Sequence, residues 1–426
     1  MLHDDAWAAP TLDAELQRAS LSRADASLAT QIVYGALRVA PDLEAAIARY
    51  ARRSVKVDDW VRAALLGGSF QLLHLGRVPP HAVVDDTVQL VREKRGRRVG
   101  GFANAILRRL VLERPEHPVP PISVSVPEWL RDALESSIGK DQTERLLSVG
   151  DAPPSIDLRI RADVDRDAVA DAISRAKPGC TVARTALSPR GLRVSGAGDP
   201  RELPGYAQGH FAVQEEGAQL IGMLVGTAPG DRVLDVCAGR GGKTAQLVEA
   251  AGIDGTVIAT DVHEHRLERI PSELRRLRLD ASPLRTECVD WTVGPGPVRE
   301  DLDRVLVDAP CTGLGTLRRR PEILLRAAPG DAARMGEVQR RILTHAASRV
   351  RCGGTLLYAV CSPLAEEGEG VVRDLDLPGF ELEVERASGL ESLRFGRDGR
   401  LVLGPSVQGA GPWADAYQIY MWVHVG

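Results

Sequence analysis

The sequence predicts a multidomain protein: an all-α N-terminal domain, a small α/β connecting module, and a C-terminal α/β domain on a doubly wound sheet. Three observations carry this. From Asp13 to about Leu112 apolar side chains recur at three- and four-residue intervals, with few strand-like alternations. From Asp231 onward, short runs rich in β-branched residues alternate with helical stretches, the pattern of a parallel sheet and its crossover helices. A chain of 426 residues is also too long for one compact core. The expected divisions are residues 1–127, 128–208 and 209–426.

A hydrophobic fraction of 44% with 26% charged residues is ordinary for a soluble globular protein. No apolar run approaches the roughly 20 residues that span a bilayer, and Met1-Leu2-His3-Asp4-Asp5 lacks the basic head of a signal peptide, so a cytoplasmic chain without membrane attachment is expected. Six cysteines without regular spacing argue against a disulfide framework and leave thiols available for chemistry. Cys180, Cys288 and Cys352 have no motif around them and are assigned to packing. The net charge of −4 does not advertise a nucleic-acid partner, so a polyanion would have to be met by local clusters. Arg92-Glu93-Lys94-Arg95-Gly96-Arg97-Arg98 is one such cluster and Arg318-Arg319-Arg320 another; a solvated face is the ordinary reading of either taken alone.

In the first domain, Ser20-Leu21-Ser22-Arg23-Ala24-Asp25 opens a helix that leads into Ile32-Val33-Tyr34-Gly35-Ala36-Leu37-Arg38. Val61 to Leu75 repeats the helical spacing until Gly76 and Pro79-Pro80 end it. His81-Ala82-Val83-Val84-Asp85-Asp86 starts the next helix, with early acids that suit its N-terminus. Gly101-Phe102-Ala103-Asn104-Ala105-Ile106-Leu107-Arg108 follows the basic run. The order of Tyr34-Gly35-Ala36-Leu37-Arg38, Val78-Pro79-Pro80-His81-Ala82-Val83 and Gly101 to Arg108 resembles the NusB-like RNA-binding domain that precedes the catalytic part in bacterial ribosomal RNA methyltransferases of the Fmu/Sun type.

The proline-rich stretch Pro115 to Pro127 cannot hold a helix and reads as a linker. A helical segment from Glu128 to Val149 then reaches Gly150-Asp151-Ala152-Pro153-Pro154. Ser155 to Ile160 reads as a strand, Asp167 to Ala176 as a helix, and Cys180 to Thr185 and Gly191 to Ser195 as further strands, which makes a small α/β module. Pro204 to Glu215 resembles the phrase by which the same family enters its catalytic domain.

The cofactor half opens with Pro229 to Cys237, a turn and a strand, followed by the glycine-rich Ala238-Gly239-Arg240-Gly241-Gly242-Lys243-Thr244 and a helix over Ala245 to Ala251. Glycine lacks a Cβ and tolerates positive φ, so such a turn lets backbone N–H groups approach a bound cofactor. Its spacing is neither that of a P-loop nor a dinucleotide fingerprint, which lowers the ATP and NAD readings. Gly255 to Asp261 is a second strand ending in an acid that can accept from ribose hydroxyls. Arg266 to Leu279 is expected as a helix broken at its start by Pro271, in a first-turn position, and Leu284 to Asp290 as a third strand. Asp290 and Trp291 would flank an adenine, with Asp290 taking its exocyclic amine. Acids at successive strand ends without a phosphate loop look like an S-adenosylmethionine site. Gly336 to Val350 is the helix before the last parallel strand, and Glu381 to Val384 and Ala416 to Val425 are expected as late antiparallel edge strands.

Two apolar runs stop at a cysteine: Asp303 to Cys311, and Gly354 to Ser362 with Cys361. In open α/β sheets ligands gather outside the carboxyl ends of strands, so both thiols can converge on one substrate. Carbon five of cytosine is a poor nucleophile until something adds to carbon six, and a thiolate suits that addition. Cys361 is the candidate nucleophile, and a thiolate at neutral pH is expected there. Asp308 is the candidate donor toward ring nitrogen three, provided burial keeps it protonated. Cys311 is the candidate for removing the carbon-five proton or assisting that step.

Asp308-Ala309-Pro310-Cys311, Gly313, Arg319-Arg320-Pro321-Glu322-Ile323 and Cys361-Ser362 resemble the two-cysteine signature of RNA 5-methylcytosine methyltransferases of the Nol/Nop/Sun superfamily. The resemblance implies a Rossmann-like class I methyltransferase domain, with Cys361 as nucleophile and Cys311 in product release. It also implies a cofactor site of Cys237, Ala238, Gly239, Arg240, Gly241, Gly242, Lys243, Asp261, Asp290 and Asp308, without metal, and RNA, chiefly small-subunit ribosomal RNA, as partner. The chain departs from the family in having Gly239-Arg240 for the usual Ala-Pro, Val360 for Thr, and no Asp-Gly-Phe-Phe ending in Trp413 to Trp422; none of these removes a catalytic group. Two rival readings keep part of this picture: a methyltransferase of the same fold acting on a small molecule or peptide, and a non-catalytic RNA-binding factor. Labelled cofactor offered with ribosomal RNA and with RNA-free extract separates the first two readings, and calorimetry of cofactor binding tests the third. The oligomeric state is not legible in the sequence.

Overall fold

The computed structural model describes residues 7–51, 57–119, 121, 123–148, 155–196, 198–299, 301–384, 390, 393–404 and 415–426. The opening Met1 to Asp5, the turn Gly150 to Pro154, Val149, and Trp413-Ala414 of the tail lie outside the described residues. The chain divides into two compact units. One comprises Met1–Ser136, Leu147–Asp151 and Thr316–Pro329; the other comprises Ser137–Leu146, Ala152–Gly315 and Gly330–Gly426.

The first unit is helical, with α1 (Ala8–Ala19), α2 (Arg23–Arg38), α3 (Ala40–Tyr50), α4 (Asp59–His74) and α5 (Pro80–Glu113). Side-chain caps start two of them: Ser22 accepts from the Asp25 N–H before α2, and Asp58 from the Val61 N–H before α4. Pro80 opens α5, and Gly96, at φ 84°, kinks it inside the basic run. The periodic apolar positions Val61, Leu65, Leu72, Val83, Val84, Val91, Ile106, Leu107 and Leu110 make one core between α3, α4 and α5. Gly35 lets α2 lie against α4, since a Cβ there would sit 2.0 Å from the Phe70 ring. Segment 316–329 packs in this unit too: Glu322 is buried and accepts from the Ala8 N–H at 3.0 Å, while Arg320 and Arg326 lie over the Trp7 ring at 5.0 and 5.3 Å. The helical segment expected from Glu128 to Val149 is two helices, α6 (Glu128–Ile138) and α7 (Lys140–Leu147), because Gly139 takes φ 78° between them.

The second unit holds two sheets. The smaller is antiparallel in the order β2-β3-β1-β4, from β1 (Ser155–Ile160), α8 (Arg166–Ala176), β2 (Thr181–Arg184), β3 (Gly191–Ser195) and β4 (Phe211–Val213). Val169 and Ile173 of α8 cover its face at Leu158, Ile160, Leu192 and Val194. The larger sheet follows from α9 (Glu216–Leu224), β5 (Arg232–Asp235), α10 (Gly242–Ala251), β6 (Thr256–Asp261), α11 (Glu264–Leu267), α12 (Ile270–Arg276), β7 (Leu284–Cys288), β8 (Leu302–Asp308), α13 (Asp331–Ala347), β9 (Val350–Val360), α14 (Glu369–Arg373), β10 (Phe380–Leu382), β11 (Leu401–Leu403) and β12 (Tyr417–His424).

Its order is β10-β12-β9-β8-β5-β6-β7, with β11 also on β12. Strands β5 to β9 are parallel; β12 runs against them, and β10, antiparallel to β12, returns to their direction. Apolar side chains alternate between the faces: Val233, Val257, Leu306 and Leu357 meet α9, α10 and α12, while Leu234, Ile258, Val305, Val307 and Leu356 meet α13.

Two sequence expectations change here. The break expected at Pro271 falls after Leu267, and α12 restarts with Pro271 in its first turn and ends at Arg276, short of Leu279. The strand at Ala416 to Val425 is not an edge: β12 lies between β9 and β10, and six successive residues from Tyr417 to Trp422 are buried, as both faces of an interior strand require. Strand order reverses between β5 and β8, where an open α/β sheet forms a crevice at its carboxyl edge. Among the described residues no helix is long and apolar enough to cross a membrane.

Candidate active site

At that crevice β5 ends in Asp235, and the chain turns through Gly239 (φ 56°) and Gly241 (φ 83°) into α10. A Cβ on Gly241 would meet Ile270 at 2.8 Å, so glycine there permits the close approach of α12. At Gly239 and Gly242 a Cβ would meet nothing within 4 Å, so this rim of the loop is open. Asp261, at the end of β6, is buried; its Oδ2 accepts from the Gly239 N–H at 3.0 Å and its Oδ1 from the His263 N–H at 2.8 Å. This carboxylate ties the glycine turn to the neighbouring strand. The next side chain, Val262, is 54% exposed, an apolar surface beside an acid at the open rim. Cys237 is packed against the α13 face of the sheet, and burial pushes its thiol well above the usual value. Arg240 is exposed.

Lys243, in the first turn of α10, reaches the end of β8, where its ammonium donates to Oδ2 of Asp308 at 2.6 Å. Burial pulls Lys243 down, but the charge and hydrogen bond of Asp308, with Asp235 and Cys361, more than restore it, so its pKa lies above the ordinary value. The expected role of Asp308 supposed a carboxyl kept neutral by burial. The structure gives it an ionic partner and leaves 28% of the side chain accessible. Asp235 is fully enclosed, with Oδ2 accepting from the Thr244 hydroxyl at 2.7 Å and Oδ1 without a partner; burial pushes its carboxyl up to about 7.

Strands β8 and β9 pair with Asp308 opposite Ala359, so the segments that follow them leave the sheet side by side. This brings the Cys311 and Cys361 sulfurs to 3.3 Å. The pairing is supported by backbone: the Gly315 N–H donates to the Cys361 carbonyl, and the Ala416 N–H to the Gly315 carbonyl, both at 3.0 Å. A Cβ on Gly315 would fall 2.0 Å from the Ala416 oxygen, so only glycine passes there. From β12, Gln418 donates to the carbonyls of Ser362 and Leu364, each at 2.9 Å. Cys311 is held well above the usual thiol value, first by its hydrogen bond to Cys361, then by burial and by the charges of Cys361 and Glu367.

Of the remaining expected cofactor residues, Asp290 is exposed and its Oδ1 accepts from the Thr292 N–H at 2.9 Å and hydroxyl at 2.6 Å, bonds that hold it below the ordinary carboxylate range. Trp291 does not flank an open site. It is 3% exposed in the core, with its indole N–H donated to the Thr260 hydroxyl at 2.8 Å. Sequence reasoning passed over Val262, Glu367, Gln339 and Gln418. A valine immediately after a strand-ending acid was a usable signal; a glutamate in a run of acids and a glutamine in a strand carried none. Among the described residues no group of three or more His, Cys, Asp or Glu could hold a metal ion. The open glycine rim, the exposed Val262 and the strand-end acids fit a cofactor that carries a ribose and an adenine.

Comparison with known proteins extends these observations. Residues 223–407 match the family described as 16S rRNA methyltransferase RsmB/F, and residues 1–112 match the NusB family. The chain is 33% identical to the ribosomal RNA small subunit methyltransferase B of Pseudomonas putida, over 89% of this chain and 88% of the relative. It is 31% identical to the Vibrio vulnificus protein of the same name, over 80% of each. Among solved structures, PH0851 superposes with a TM-score of 0.80 at 23% identity, over 96% of this chain and 92% of that one. NSun6 from Pyrococcus horikoshii, solved with SFG, superposes with a TM-score of 0.58 at 18% identity, over 71% of this chain and 99% of that one.

Proposed function

The chain belongs to the RsmB/F family of 16S rRNA methyltransferases, and from that premise we propose that it transfers the methyl group of S-adenosylmethionine to carbon five of a cytidine in small-subunit ribosomal RNA, through a covalent cysteine adduct. Membership makes it an S-adenosylmethionine-dependent rRNA methyltransferase. The choice of base, of atom and of covalent route is our reading. The observation that carries it is the 3.3 Å approach of the two sulfurs beyond the ends of adjacent strands, one of which also ends in the Asp308 that Lys243 bonds.

The cofactor supplies an electrophilic methyl carbon. Gly239 to Gly242, Asp261 and Val262 would hold it, the acid offering acceptors for ribose hydroxyls and the valine an apolar surface for an adenine. Cys361, as thiolate, forms a bond from sulfur to carbon six of the cytosine. The electron pair of the carbon five–carbon six bond moves toward nitrogen three, where the Lys243–Asp308 pair supplies the hydrogen bond that the growing negative charge needs. Carbon five then bonds to the methyl carbon, and S-adenosylhomocysteine leaves. Cys311, as thiolate, takes the proton from carbon five; that pair restores the ring double bond, and the carbon–sulfur bond breaks with its electrons returning to Cys361. One proton is released overall. A cytidine inside an RNA helix must first leave its stack to reach the thiols.

Two variants test this. Cys311→Ala incubated with small-subunit ribosomal RNA and cofactor should accumulate a protein–RNA complex that survives denaturing electrophoresis, because the adduct forms and is not released. Cys361→Ala should form none. A complex in both, or in neither, removes the covalent route. Mapping of 5-methylcytidine in RNA from cells with and without the chain identifies the base.

A further inference from the structure

Behind the sulfur pair lies a carboxylate that the reaction as written does not use. Glu367 has no exposed surface, yet it follows β9 in a short helical turn where a surface acid would be ordinary. Its Oε1 accepts from the Thr312 backbone N–H at 2.7 Å and from Gln339 at 3.4 Å, and its Oε2 from the Thr312 hydroxyl at 2.5 Å. Thr312 follows Cys311 directly. The Ser362 hydroxyl, directly after Cys361, lies 3.2 Å from the Thr312 hydroxyl that bonds this carboxylate. Gln339 on α13 also donates to the Pro310 carbonyl at 2.9 Å, and the single proton of the Tyr358 hydroxyl lies between the Glu367 carbonyl at 2.6 Å and the Gln339 amide oxygen at 3.0 Å. One buried side chain therefore fastens the residue after Cys311 directly and the residue after Cys361 through the Thr312 hydroxyl.

Resting on the two-thiol reading above, we propose that Glu367 is the positioning residue of the sulfur pair: it joins the two cysteine segments and makes the sulfurs unequal, because Cys311 is the one that faces a buried carboxylate. A buried group that accepts from a backbone N–H, a hydroxyl and an amide is built to be an anion. Burial raises its own pKa, and the Ser362 hydroxyl with the hydrogen bonds from Thr312 and Gln339 opposes that rise. The titratable and charged groups around the pair are Glu367 and Tyr358 on the Cys311 side and Lys243, with Asp308 bonded to it, on the Cys361 side. Negative charge therefore stands behind one sulfur and an ammonium beside the other.

The consequence is an order of events. While Cys361 is a free thiolate, Cys311 keeps its proton and donates it in the sulfur–sulfur hydrogen bond. Once Cys361 is bonded to carbon six it is a neutral thioether, and both its charge and its hydrogen bond to Cys311, the largest influence on that thiol, are gone. Cys311 then loses its proton to water and becomes the base that the second half of the reaction needs.

The test reads thiol ionisation in the full chain without RNA. Rates of iodoacetamide modification at Cys361 and Cys311 are followed by peptide mass spectrometry between pH 6 and 9.5. In the unaltered chain Cys361 should react about tenfold faster than Cys311 at neutral pH, as one pH unit of separation implies; equal rates or the reverse order overturn the proposal without any variant having to fold. With Cys361→Ser as background, adding Glu367→Gln should bring the Cys311 rate–pH curve down by about one pH unit, and adding Glu367→Asp should restore it. Adding Thr312→Val, which loosens the clamp but keeps the charge, should leave that curve in place. An unmoved curve in Glu367→Gln, or an equal shift in Thr312→Val, overturns the proposal. If the Cys311→Ala adduct test fails while the sulfurs remain unequal, the cytidine reading falls and the role of Glu367 at the pair stands.

Discussion

Asp235 ends the central strand with a carboxyl that has one satisfied oxygen, one orphaned oxygen and 1% exposure. Burial raises it from its ordinary 3.8 to about 7, so folding favours the protonated form. The stability this group contributes is complete below about pH 4, is lost progressively as pH rises, and is gone above about pH 7. Asp235→Asn cannot titrate. The melting temperature of the variant minus that of the unaltered chain should rise by several degrees between pH 5 and pH 8. A difference that stays flat or falls would show that the carboxyl is ionised throughout. At this scale the sequence was informative about reactive groups and silent about their partners. Cys311, Cys361, Lys243 and Asp261 announce themselves by type and by position at strand ends. That Asp308 would meet an ammonium, that Trp291 would be spent in the core, or that Glu367 would sit behind the thiols depends on hydrogen bonds between residues 31 to 65 positions apart.

The element that sets the site is the pair of segments leaving β8 and β9. Their register places Asp308 beside Ala359, and the two short exits then bring the sulfurs to 3.3 Å. Gly315 is the crossing point of this arrangement. Gly315→Ala would force a Cβ to 2.0 Å from the Ala416 oxygen, and we expect a loss of about 1–3 kcal/mol of stability together with at least tenfold lower methyl transfer. Urea unfolding and a labelled-methyl assay check both; native stability would mean that the Ala416 segment yields without cost. The parallel strands were legible because strands buried on both faces read as unbroken apolar runs. The interior place of β12 was not. A C-terminal strand with the same pattern can end a sheet or enter it, and the choice lies in its pairing with β9 and β10.

For the whole molecule, a net charge of −4 must be reconciled with an RNA substrate. Attraction to phosphates has to come from clusters such as Arg92 to Arg98, of which Arg97 and Arg98 are exposed beside the kink at Gly96. Arg97→Ala with Arg98→Ala should weaken binding to small-subunit ribosomal RNA and flatten its dependence on salt by roughly 0.7–0.9 for each phosphate that is no longer neutralised. An unchanged salt slope in a filter-binding titration would return this run to the solvent. The sequence by itself determined the helical and α/β halves, the glycine turn with its strand-end acids, and the two cysteines, because these are local: periodicity, turn chemistry and residue type act over a few positions. Only the tertiary structure decided that segment 316–329, with its four arginines, packs in the helical unit, and that one buried glutamate, through Thr312, links both cysteine segments. Those outcomes follow from how distant pieces of chain share a core, which no window of sequence contains.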